Sequence, residues 1–213
     1  MRIIRSLRRE WKTLSWSTEM ANDAQSFEER LKELHVDAKD QLATPTTSPL
    51  TDADVHQIST MVKSSESSLD DPRLYELRDS AQSLLNNIAG SWRDSVETLT
   101  KSFEQSGRAD PNDYKSKLEN IEQELSEKAE SATHTLYDQA KRIGTGGDRN
   151  LQQDILQFMR LVSPQFRRVV EEISEIDAPI LHGDLNGIKD LSNLIERGYR
   201  RVVGYISDWF HNL

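Results

Sequence analysis

Cysteine is missing from all 213 residues. Its absence excludes disulfides, thiol catalysis and cysteine-bound zinc or iron–sulfur sites, and leaves the redox compartment open. Long apolar runs are missing too. Nothing approaches the roughly 18 consecutive apolar residues that a membrane-spanning helix requires, so the chain is not expected to cross a bilayer. The opening residues also lack the compact apolar stretch of a secretory signal peptide. A continuous basic face is the third absence. The chain holds 27 Lys and Arg against 36 Asp and Glu, net −9. Such a balance argues against broad nucleic-acid binding, in which phosphates must be neutralised along a whole surface.

The charge is unevenly placed. Residues 1–14 carry Arg2, Arg5, Arg8, Arg9 and Lys12 against Glu10, five cations and one acid, so this tip is +4 and the other residues share −13. Ile3, Ile4, Leu7, Trp11 and Leu14 fall on one side of a helix there, with the arginines on the others. A basic amphipathic helix is therefore expected over 1–20. It could lie on an anionic membrane surface, dock on an acidic partner, or serve as a mitochondrial transit sequence, against which Glu10 counts. The reading without a function is that it folds back on the chain's own acidic helices.

What the chain has in quantity is helical periodicity. Leu74, Leu77, Ala81, Leu84, Ile88, Trp92, Val96, Leu99 and Phe103 follow at steps of three or four, the spacing of one apolar stripe. Asp71 with Pro72 supplies a cap and a first-turn proline, and Gly107 closes the far end. Asp110 and Pro111 repeat the start signal, and Tyr114, Leu118, Ile121, Leu125, Ala129, Ala132, Leu136, Ala140 and Ile143 form a second stripe. Two long stripes joined by a short turn make an antiparallel hairpin over 70–143. Steps near three and a half predict coiled-coil-like packing.

Other elements flank this hairpin. A helix over 21–43 shows Phe27, Leu31, Leu34, Ala38 and Leu42, with Asn22 or Asp23 as its expected cap. Residues 44–51 are Pro- and Thr-rich and read as a linker. Thr44-Pro45 and Ser48-Pro49 could be phosphorylated, although a plain spacer is the simpler reading. A short helix follows near 52–64. After GTGGD at 144–148 another helix carries Leu151, Ile155, Phe158, Val162, Phe166, Val169 and Ile173, and Ser163-Pro164 is expected to kink or restart it. The bundle is taken to span 52–176, with a loop over 177–187. A C-terminal amphipathic helix over 188–213 carries Leu191, Ile195, Tyr199, Val202, Ile206, Trp209 and Leu213, and Val203, Tyr205 and Phe210 widen its stripe.

Three fragments invite chemical readings. ILHGDL at 180–185 resembles the HGD catalytic loop of small-molecule phosphotransferases related to protein kinases, a resemblance that would imply an aspartate positioning the acceptor hydroxyl at Asp184. That family places a magnesium-binding asparagine five residues further on, where this chain has Lys189, so a loop with a helix cap at Asp184 or Asn186 is the reading kept. GTGGD lacks the lysine and hydroxyl of a P-loop and follows a helix, so glycine termination explains it. Glu130, His134 and Asp138 share a face at four-residue intervals, an arrangement used by helical metal sites, but that face is expected to point away from the apolar stripe. No nucleophile, base and orienting group can be assembled from the spacing.

The expectation is thus an all-α, elongated antiparallel bundle built on a long helical hairpin. Its expected role is a non-enzymatic interaction or scaffold protein, one subunit of a larger assembly, without cofactor, metal, nucleic acid or small-molecule substrate. Protein partners or self-association would be served by Arg2, Arg5, Arg8, Arg9, Trp11, Lys12, Trp16, Trp209 and Phe210. The alternative is a peripheral membrane protein using both terminal helices on an anionic surface. An intracellular setting is expected, cytoplasmic or at a membrane periphery, with the mitochondrion as the other destination.

Overall fold

The computed structural model describes residues 26–43, 71–108, 110–183 and 190–213. They form five helices: α1 (Phe27–Ala43), α2 (Pro72–Gln105), α3 (Pro111–Gly144), α4 (Arg149–His182) and α5 (Leu191–His211). No strand occurs among the described residues. The linker at 44–51, the short helix expected near 52–64 and the basic helix over 1–20 lie outside them.

Helix starts follow from side-chain chemistry. Asp71, Asp110, Asp148 and Asp190 each accept a hydrogen bond from a first-turn N–H, satisfying one of the donors a helix start leaves open. At α1 the cap is Ser26, not Asn22 or Asp23. Ser26 Oγ accepts from the Glu29 N–H at 3.3 Å while the Ser26 N–H donates to Glu29 Oε2 at 2.9 Å, a reciprocal capping box. The α2–α3 turn closes with Gly107 at φ 67°, a conformation glycine adopts without steric cost.

Four helices run up and down in alternation. Near the turn, Thr100 Oγ1 meets Tyr114 Oη at 2.8 Å, and at the open end Arg142 reaches Glu76 at 3.2 Å, so α2 and α3 are antiparallel along their length. Each has 34 residues, a rod of about 50 Å. Tyr137 and Ser163, then Lys115 and the Gly183 carbonyl, set α3 against α4 in the same manner. Helix α5 closes the ring by packing on α2 and α4, and α1 lies outside on α3 and α4. Gly198 lets α5 approach closely, since a Cβ there would stand 2.6 Å from Ile176 Cγ2.

The core runs the length of the ring. Trp92, Tyr114, Phe158, Phe166 and Phe210 are its largest fully buried side chains. Because α2 faces α3, α5 and α4 together, its buried face is wider than one stripe. Leu85 and Thr100 are fully buried, whereas Leu84 and Leu99 only pack against the core edge.

Helix α4 departs from expectation twice. It neither restarts at Pro164 nor ends at 176, and instead runs as one helix to His182 with Pro164 and Pro179 inside. Ser163 Oγ donates to the Met159 carbonyl at 2.5 Å and Gln165 Nε2 to the Leu161 carbonyl at 3.3 Å, on either side of the Arg160 carbonyl that the missing Pro164 N–H would have reached. Val162, Phe166, Ile173, Ile176 and Ile180 are buried on both sides of the prolines. Their burial at about 2 kcal/mol each exceeds a proline's cost of about 3 kcal/mol.

Candidate functional site

Arg2, Arg5, Arg8, Arg9, Trp11, Lys12 and Trp16 lie outside the described residues. The two aromatic candidates at the other end are placed. Phe210 is a core residue, not a surface anchor, at 1% exposure, and its carbonyl accepts from Arg78 of α2. Trp209 is half-buried and meets the Phe210 ring edge-on at 4.7 Å. The wide apolar stripe of α5 is accounted for by the bundle itself, since Val202, Ile206 and Phe210 all enter the core.

Glu130, His134 and Asp138 do share a face of α3, which is exposed and borders the seam with α1. Lys39 of α1 pairs with Glu130 at 2.6 Å, and His134 Nε2 lies 3.5 Å from Asp138. His35 stacks on His134 with ring centroids 5.2 Å apart and on Tyr137 at 4.5 Å. Face-to-face rings aim their nitrogens sideways and not at a common point, which is the reverse of what a shared metal needs. Among the described residues no group of three or more His, Asp or Glu is placed to hold an ion.

The fragment from GTGGD behaves as a cap. Gly146 takes φ 85°, and the Gly144 carbonyl accepts from the Gln152 side chain at 3.0 Å and from the Gly147 N–H at 3.0 Å. Of ILHGDL, Ile180, Leu181 and His182 belong to the last turn of α4, and Asp184 to Lys189 lie outside the described residues.

The core holds polar groups in defined pairs. Trp92 Nε1 donates to Asp177 Oδ2 at 3.0 Å, linking α2 to α4 across the ring. Asp177 is fully buried, and its Oδ1 has no hydrogen-bond partner among the described residues. Burial pushes its carboxyl up to about 7, the Trp92 hydrogen bond opposes that, and Glu122 of α3 adds to it. Tyr137 with Ser163 at 3.0 Å and Tyr205 with Gln165 join Thr100 with Tyr114 as interior hydroxyl contacts, and burial pushes the Tyr137 and Tyr205 phenols up to about 12. On the α4–α5 seam Glu172 accepts from Arg168 at 2.5 Å and from Arg201 at 2.9 Å.

Sequence periodicity missed Asp177 because it was read as the first loop residue after 176. The signal was present. Asp177 stands four residues after Ile173 and three before Ile180, on the buried stripe. The α2 surface also bears an open groove lined by Asn86, Asn87, Gly90, Ser91, Asp94 and Tyr199, shallow and polar. No helix of the described residues is long and apolar enough to cross a membrane. No family model, curated protein or solved structure matches the chain.

Proposed function

We propose that this chain is a non-enzymatic helical interaction protein, a subunit of a larger assembly whose bundle carries a basic arm to an acidic protein partner. The observation that carries the reading is self-sufficiency of the body. Among the described residues Val36 and Tyr75 are the exposed large hydrophobic side chains, so the long stripes are spent on one another. What remains for partners is charge, and the strongest concentration of it is Arg2, Arg5, Arg8, Arg9 and Lys12 beside the apolar Ile3, Leu7, Trp11 and Trp16. Cations steer encounter and aromatic side chains anchor the complex. Phe210 is withdrawn from the contact set, and Trp209 stays as a half-exposed edge.

The arm's amphipathic pattern also favours a second reading, attachment to anionic lipid. That reading loses one of its two anchors, because the apolar side of α5 is occupied in the bundle. Pull-down from native extract by the full chain and by a chain lacking residues 1–16 tests the proposal, alongside co-sedimentation with phosphatidylserine vesicles. A partner recovered only with the arm, and no vesicle binding, supports it. Arm-dependent pelleting with anionic vesicles moves the function to lipid, and a partner retained without the arm moves it to the acidic body.

A further inference from the structure

Helix α1 is the least anchored element of the bundle. Of its 17 residues only Leu31 and Ala38 are fully buried, and a helix of that length is marginal in water on its own. Its place therefore depends on its seams with α3 and α4, and the α3 seam holds its charged and aromatic pairs. At one end the Phe27 ring covers Gly144, where a Cβ would stand 2.2 Å from Phe27 Cζ, and Glu28 pairs with Lys141 at 2.9 Å. At the other end Lys39 pairs with Glu130 at 2.6 Å. Between them His35 stacks on His134 and Tyr137 with interplanar angles of 27° and 18°.

We propose that α1 is an acid-released clasp, in which protonation of His35, stacked on His134 and Tyr137, frees α1 from α3 and α4 while α2 to α5 stay folded. Neutral imidazoles can lie face to face, but two imidazolium rings 5.2 Å apart repel. Burial, then the charge of His134, then that of Lys39 hold the His35 pKa below its ordinary 6.5, and Asp138 and Glu130 pull the other way. Tyr137 presents an uncharged ring, and Asp37 of α1 acts on it. His134 and Asp138 are both more than 60% exposed, so water screens the two alike, Glu130 is engaged by Lys39, and burial is the leading cause. The docked state thus holds the His35 proton less tightly than the free helix. Docking is complete above pH 6.5 and weakens as pH falls below it.

Hydrogen exchange of the full chain at pH 7.5, 6.5 and 5.5, each rate normalised to the unfolded chain at the same pH, tests the clasp. The expected result is normalised exchange in α1 about fivefold faster at pH 5.5 than at pH 7.5, with α2, α3 and α4 exchanging no faster at pH 5.5. His35→Phe and His134→Phe keep a ring in the stack and should each flatten that profile. A flat wild-type profile, α1 exchanging as an unfolded segment already at pH 7.5, or an undiminished acid response in both variants overturns the proposal. If a variant undocks α1 outright, the wild-type profile decides.

Discussion

Asp177 occupies a core position where its neighbours at the same register, Ile173 and Ile180, are aliphatic, and among the described residues only one of its oxygens has a partner. The folded state holds its proton up to about pH 7 against an ordinary 3.8, so the folded form binds more protons than the unfolded form between those values. Stability from this group is complete below pH 3.8, is lost as pH rises toward 7, and is absent above. Asp177→Asn removes the ionisation while keeping an acceptor for Trp92. It should stabilise the protein by roughly 2 kcal/mol at pH 8 and by far less at pH 5, read as urea midpoints at both values. An equal difference at both pH values would mean that the carboxyl is already ionised at pH 5 in the fold, its proton held no more tightly than in the unfolded chain. Trp92→Phe should cost about 2 to 4 kcal/mol, more at pH 8 than at pH 5, because it opens a cavity and leaves a charged carboxylate without its donor.

Helix α4 shows where local punctuation loses to packing. Its sequence carries two prolines, and reading them as stops cuts the helix at 164 and again before 179. Yet the apolar positions continue in phase from Leu151 through Val162, Phe166, Ile173 and Ile180, and that continuity decides the outcome. The α2–α3 hairpin was legible for the opposite reason, since its caps and its stripe agree at both ends. The α1 start was misplaced because two earlier capping residues, Asn22 and Asp23, compete with the Ser26–Glu29 pair, which satisfies two backbone groups at once. Pro179 is exposed and costs α4 a hydrogen bond without contributing to the core. Pro179→Ala should therefore raise stability by about 1 to 2 kcal/mol, the restored bond and lost clash outweighing the added freedom of the unfolded chain. A fall in Tm on this substitution would show that the proline sets the end of the helix.

At the scale of the whole molecule the two titrating positions pull apart. Alkali charges Asp177 inside the four-helix ring, whereas acid charges His35 on the seam outside it. The ring and the clasp should therefore respond to pH in opposite directions. Such independence was not legible in the sequence, where the α1 stripe of Phe27, Leu31, Leu34, Ala38 and Leu42 looks as regular as any other. Periodicity counts apolar positions and does not say how many are sealed from water. Among the described residues α1 packs on α3 and α4, Leu34 and Leu42 are partly open and Val36 is 50% exposed. Helix α1 covers only the α3–α4 flank of the ring, where Phe27 lies on Gly144 and His35 on Tyr137. A chain beginning at residue 69 should accordingly fold. Its ellipticity should fall only by the share of the segment removed, and its Tm by less than about 10 °C, since loss of one buried leucine and one alanine with three partly buried neighbours is worth a few kcal/mol at most. Circular dichroism melts of the two chains measure this. Loss of a cooperative transition in the shorter chain would show that α1 belongs to the core and is not a clasp laid over it.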